Sequence, residues 1–179
     1  MNTLTSEQLD ELLARSADST LPLLTIIRGA SGSGKSTKAR AIQPDASKVC
    51  TTDDALPGLY GEDGSFNGME MVDGLPMIVR AHIQNAANVE ALMKNGADHI
   101  VVPNTNTRRW EFEGYLVMAY SYGYRVNVDD SLIDCGLTAE QLHARGLHGV
   151  PLAGIQAQMS NLTTYRDWKA DSPTQPPRN

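Results

Sequence analysis

The sequence predicts an α/β domain in which a parallel sheet carries helices on both faces. Three observations lead there. Short, bounded apolar runs (LPLLTIIR, KVCTT, DHIVVP, YRVNVDD) alternate with longer stretches of helical period, the signature of strands joined by crossover helices. The helical stretches carry their own start and stop residues. A glycine-rich stretch, GASGSGKS, stands between the first apolar run and the helix after it.

Taken in order, Thr5 and Gln8 have capping-box spacing ahead of LDELLAR and predict a short N-terminal helix. LPLLTIIR reads as a buried strand, and a helix from Lys35 to Ile42 follows the glycine loop and is closed by Pro44. KVCTT reads as a second short strand ending at Asp53 and Asp54. The glycine-rich, weakly periodic stretch after it has the length of a functional loop. Pro76 opens a long helix with Gly96 as its stop. DHIVVP is a third strand, WEFEGYLVMAYSYG a helix with an apolar face, and YRVNVDD a fourth strand. Thr138 and Gln141 form another capping box, and a last helix covers Leu152 to Tyr165. Residues 1–20 are thus an N-terminal helix, 21–169 the main domain, and 170–179 (ADSPTQPPRN) a disordered tail.

The 179 residues suffice for one core, and 41% hydrophobic with 20% charged residues is an ordinary globular balance. No apolar run approaches the roughly 20 residues that span a bilayer, and the polar, helical start shows no secretory pattern. Two distant cysteines, Cys50 and Cys135, without a CxxC, fit a cytoplasmic protein with ordinary thiols. A net charge of −6 excludes a large sequence-independent grip on nucleic acid, though not a small acceptor groove.

The pattern GxxxxGK[ST] is met in full by Gly29, Gly34, Lys35 and Ser36. Glycines allow backbone N–H groups to wrap an anion, and the helix behind them adds its positive dipole end. The cradle comprises Gly29, Ala30, Ser31, Gly32, Ser33, Gly34, Lys35, Ser36 and Thr37, with Lys35 for the β- and γ-phosphates and the Ser36 hydroxyl for Mg²⁺. ATP and Mg²⁺ are therefore the expected cofactors. There is no NKxD for guanine, no aspartate closing the apolar strand IVVPN, and no glutamine obviously placed to position a water. Phosphoryl transfer to an acceptor remains, and it requires an activating carboxylate. Asp53 can be that base; alternatively Asp53 or Asp54 caps the next turn, Asp54 being the better cap. Asn104, Thr105 and Asn106 follow a strand directly and should share the crevice with Asp53 and the glycine loop.

From Ile26 to Tyr165, GASGSGKST, TTDD, the helix with Ala81–His82, VVPNTNT, WEFEGYLVMAYSYGY and RGLHGVP occur in the order of a known family. The chain resembles the P-loop polynucleotide kinases of phage type and their animal relatives in ubiquitin-ligase-binding proteins. The resemblance implies a P-loop kinase fold with a small helical lid, Asp53 as general base, Thr105 beside the acceptor, and Arg145 as the lid arginine. It also implies a cytoplasmic place, the host cytoplasm for a phage protein. Two positions depart from the family: Leu56 stands where an arginine holds an acceptor-strand phosphate, and Asn104 where an aspartate ends the third strand. The acceptor is then a 5′-hydroxyl of DNA or RNA, or a hydroxymethyl group on a modified pyrimidine such as 5-hydroxymethyluracil in DNA, with a small-molecule hydroxyl third. The rival of another class is a nucleotide-binding switch or adaptor without transfer. His82 reads as a packed histidine, His148 as a turn residue, and Trp110 as core; Tyr60 and Phe66, in the loop from Leu56 to Asp73, are the candidates for stacking on a base.

Overall fold

A computed structural model describes residues 3–62 and 65–175. Its elements are α1 (Ser6–Arg15), β1 (Leu23–Ile27), α2 (Lys35–Ile42), α3 (Thr52–Ala55), β2 (Met71–Val72), β3 (Leu75–Pro76), α4 (Met77–Lys94), β4 (His99–Val102), α5 (Arg109–Tyr122), β5 (Arg125–Asp129), α6 (Ala139–Arg145) and α7 (Leu152–Thr164). The central sheet is parallel and three-stranded, in the order β4-β1-β5.

Strand alternation assigns the two faces of the sheet. Leu24, Ile26, Ile100, Val102 and Val126 pack with α1, α4 and α5 through Leu9, Leu12, Val89, Met93, Phe112, Leu116 and Ala119. Ile27 and Val101 point the other way, against Ala39 of α2. A further cluster of Ala30, Ile133, Leu142, Ile155 and Leu162 seats α6 and α7 beside the glycine loop, forming the helical lid. Both expected capping boxes are present, at Thr5–Gln8 and Thr138–Gln141.

The expected strand KVCTT is reduced to one parallel bridge, Val49 with Val101, plus the Cys50 N–H donating to the Val101 carbonyl at 2.8 Å. Helical turns take the residues on either side. Asp45 accepts from Ser47 N–H to start a 3-10 turn over Ala46–Lys48, and Thr51 accepts from Asp54 N–H to start α3. Asp53 therefore sits in the first turn of a short helix, not at a strand end. The stretch read as a long loop contains a small hairpin, β2 with β3.

Asp171 lies within the stretch expected to be disordered, yet its carboxylate is buried and accepts from Arg109 N–H (2.9 Å) and from Arg108 Nη2 (3.0 Å). Arg108, the residue at the N-cap of α5, makes no capping bond of its own, and Asp171 supplies the anion that this helix end favours. Residues 176–179 of that tail lie outside the described residues.

Arg28, the last residue before the glycine loop, is fully buried. Its five N–H donors all find acceptors: the carbonyls of Asn106 (2.8 Å), Thr107 (2.9 Å), Tyr165 (2.8 Å) and Arg166 (3.1 Å), and Asp130 Oδ1 (3.1 Å). Removing a buried cation whose partners then stay unpaired costs about 3–5 kcal/mol. Arg28→Met should lower unfolding stability by that amount in a urea titration, with the midpoint falling and the slope unchanged. Asp130→Asn, which keeps an acceptor for the guanidinium, should cost clearly less.

Candidate active site

The carboxyl ends of β1 and β4, the start of α3, the loop carrying Tyr60 and Phe66, and the lid enclose a cleft of about 480 Å³. Its donor side is lined by Ser31, Gly32, Gly34, Lys35, Ser36 and Thr37. Gly34 caps α2 with φ 97°, which a glycine adopts freely, so the first N–H groups of α2 open on the cleft. At Gly32, with φ 80°, a Cβ would stand 2.4 Å from the Leu142 carbonyl oxygen, so only glycine lets the lid approach the loop this closely. Gly29 N–H donates to the Thr105 carbonyl (3.2 Å), tying the loop to the NTNT turn. Gly29, Ala30 and Ser33 build the loop from behind: Ala30 is packed in the lid cluster, and the buried Ser33 hydroxyl has no hydrogen-bond partner among the described residues.

The loop satisfies two of its own polar groups. Lys35 Nζ donates to the Ala30 carbonyl (2.8 Å), and Ser31 N–H donates to Gln158 Oε1 on α7 (2.9 Å). Burial pushes the Lys35 ammonium down to about 8, with Asp53 opposing the shift. A desolvated lysine and helix N–H groups at the cleft are a donor set that fits a polyphosphate. Among the described residues no cluster of three His, Cys, Asp or Glu is placed to hold a metal ion. A magnesium ion would thus rely on the Ser36 hydroxyl and on phosphate oxygens.

Asp53 faces the same cleft, half exposed. Tyr60 Oη donates to its Oδ1 at 2.7 Å, and His148 Nε2 lies 3.5 Å from its Oδ2. Burial and this carboxylate both push the Tyr60 phenol up, so it remains a proton donor to Asp53. The capping role falls to Thr51 with Asp54: Thr51 Oγ1 accepts from Asp54 N–H and donates to Asp54 Oδ2 (2.8 Å). His82 is exposed on α4, not the packed histidine expected, with Nδ1 3.3 Å from Thr52 Oγ1; partial desolvation lowers its basicity and Asp53 opposes that. Arg145, exposed at the end of α6, also lines the cleft and has no ion pair or hydrogen bond among the described residues.

The acceptor-side residues separate. Thr105 and Asn104 line the cleft, though Asn104 Oδ1 is engaged by Thr52 N–H (2.9 Å) and so fixes the start of α3. Asn106 is buried away from the cleft: its left-handed φ of 47° turns the chain and its Nδ2 donates to the Ile27 carbonyl (3.0 Å). Leu56 packs against the Leu59–Met77–Ala81 cluster and does not line the cleft. Sequence reasoning missed the Tyr60 and His148 contacts to Asp53, and Gln158 on the loop amide. Tyr60 carried a signal as an aromatic in a functional loop; Gln158 carried none.

Comparison with known proteins matches a family described as an AAA domain to residues 24–165, most of the chain. The human NEDD4-binding protein 2 is 27% identical over 147 residues, which is 80% of this chain and 8% of that protein, so the chain spans only a small part of its length. A solved structure, "Structure of the Pnkp1/Rnl/Hen1 RNA repair complex", is similar with a TM-score of 0.54 at 24% identity, over 82% of this chain and 46% of the other. The three-stranded parallel core, the glycine loop and the helical lid accord with both. The chain belongs to the AAA domain family and has a P-loop, polynucleotide-kinase-like fold.

Proposed function

We propose that this protein transfers the γ-phosphate of ATP to a hydroxyl of a nucleic acid, with the 5′-hydroxyl of DNA or RNA as the first acceptor. The observation that carries the reading is Asp53: a carboxylate held through Oδ1 by Tyr60, its Oδ2 turned to the cleft that Lys35 and the glycine loop share. A switch that only binds nucleotide needs the loop and not this base. The similar solved structure is that of an RNA repair complex, which supports a nucleic-acid acceptor.

When bound with Mg²⁺, ATP supplies the phosphoryl group. Lys35 exchanges its bond to Ala30 for phosphate oxygens, Ser36 offers its hydroxyl to the metal, and Asp53 Oδ2 takes the acceptor's proton. The acceptor oxygen bonds to the γ-phosphorus as the β,γ-bridging bond breaks, and ADP leaves with the electron pair. Arg145 stabilises charge on the transferring group while the lid excludes water.

A second acceptor, the hydroxymethyl group of a modified pyrimidine such as 5-hydroxymethyluracil in DNA, is favoured by one observation. The arginines and lysines lining the cleft are Lys35 and Arg145, and the acceptor side (Thr52, Tyr60, Phe66, Ile78, His82, Pro103) has none for a strand phosphate. Among the described residues no helix is long and apolar enough to cross a membrane.

Transfer from labelled ATP to 5′-hydroxyl DNA, its RNA equivalent and end-blocked DNA with internal 5-hydroxymethyluracil, read by nucleoside mass spectrometry, tests the reading. Asp53→Asn should cut transfer by about 10²- to 10⁴-fold with ATP affinity kept. Arg145→Ala should cut turnover by roughly 10³-fold, far more than it weakens ATP binding. ATP binding without transfer to any acceptor would instead support the switch. The lowered Lys35 sets a pH dependence with a definite sign. Below about 8 the ammonium is already charged and ATP affinity should be flat. Above it, binding must take up a proton, so affinity should fall about tenfold per pH unit. Lys35→Arg, charged throughout, should flatten that profile in calorimetric titrations.

A further inference from the structure

The acceptor side of the cleft is walled by rings that the fold holds in place. Tyr60 and Phe66 form an antiparallel bridge closed by Gly61 N–H to the Ser65 carbonyl (2.8 Å) and Asn67 N–H to the Leu59 carbonyl (3.0 Å). Their ring centroids lie 5.6 Å apart. Phe66 rests on bare backbone: a Cβ at Gly68 would stand 1.9 Å from its ring. The His148 imidazole lies against Tyr60, tilted by 33° with the ring centroids 4.5 Å apart.

The position of that imidazole is informative. Tyr60 Oη donates to Asp53 Oδ1, and the ring lying against Tyr60, His148, brings its Nε2 to 3.5 Å from Oδ2. Oδ2 is the oxygen that must meet the acceptor hydroxyl. His148 thus stands where an acceptor has to stand, in the pose of a small heterocycle, with its polar edge at the base. The turn that carries it has no packing on its outer side. It lies between Gly146 and Gly149 (φ 58°), and its neighbour Leu147 is 88% exposed with nothing packed over it.

We propose that the Tyr60 ring face covered by His148 is the seat of one unpaired nucleobase of the acceptor, and that the imidazole is a resident placeholder which the base displaces. The inference deepens the kinase reading by assigning recognition to stacking on the base and not to a phosphate clamp. The stack itself does not depend on transfer. Aromatic platforms hold bases with little sequence preference, which suits a site that must take a base out of its own stack.

A single-stranded DNA oligonucleotide with one 2-aminopurine reports stacking directly through quenching of its fluorescence, without any transfer. With the full chain, quenching should saturate, and it should fail when 2-aminopurine is locked inside a duplex. Tyr60→Leu should weaken binding roughly tenfold, Tyr60→Phe should stay within about twofold because the ring remains, and His148→Ala should tighten binding about threefold or more by vacating the seat. An unchanged affinity for an ATP analogue shows that each variant is folded. Tyr60→Leu binding as tightly as the parent, or His148→Ala binding no tighter, would overturn the proposal. The acceptor panel separates the two readings. Stacking with no transfer keeps the seat and removes the kinase; transfer undiminished in Tyr60→Leu keeps the kinase and removes the seat.

Discussion

A buried guanidinium must be fully satisfied, and the way Arg28 is satisfied fixes the geometry around it. Its donors reach backward to the NTNT turn through Asn106 and Thr107, and sideways to the end of α7 through Tyr165 and Arg166. Burial depresses its basicity, with Asp130 opposing, so the site bears a desolvation cost that only a complete set of acceptors offsets. Three segments far apart in sequence are thereby held at one point, directly ahead of Gly29. The glycine loop starts from that point, the acceptor turn is tied to it again through Gly29 N–H and Thr105, and α7 brings Gln158 onto the loop.

Beyond that knot, two polar groups of the glycine loop are satisfied within the chain. Lys35 rests on the loop's own carbonyl, Gln158 on its amide, and the Leu142 carbonyl presses so closely that only Gly32 fits. A polyphosphate would offer Lys35 and the Ser31 amide charged acceptors in place of the neutral carbonyl and amide oxygens they now use, and hydrogen bonds between ions and to ions are the stronger kind. The lid is anchored by an apolar cluster that includes Ala30 itself, so the loop and the lid share one packing contact.

How much of this is legible in the sequence depends on the range of the interactions. The capping boxes at Thr5–Gln8 and Thr138–Gln141, the glycine loop and the stop at Gly96 involve neighbours three to eight residues apart, and all stand where the spacing puts them. The strand expected at KVCTT gives way because Asp45 and Thr51 start helical turns on either side, and local hydrogen bonding overrides β-propensity. Spacing does not separate Asp53 from Asp54; the Thr51 hydroxyl does, engaging Asp54 and leaving Asp53 to the cleft. Asn106, expected as an acceptor contact, is a turn residue whose side chain holds β1, and Leu56, expected at the acceptor site, is core. Such roles depend on tertiary contacts that a residue's identity does not announce.

The distribution of charge gives the cleft its logic. The lysine and arginine lining the cleft, Lys35 and Arg145, stand with the glycine loop and the lid; the opposite wall is rings, an isoleucine, a proline and His82. A nucleophile approaching from the second side meets one anionic group, Asp53, with Tyr60 neutralising the oxygen that does not face it. Water could approach by the same route, and hydrolysis would be the easy reaction. His148 stands beside Oδ2 on that route, with both side chains still partly exposed. On the proposed reading, an acceptor that is to reach Oδ2 has to displace that imidazole first.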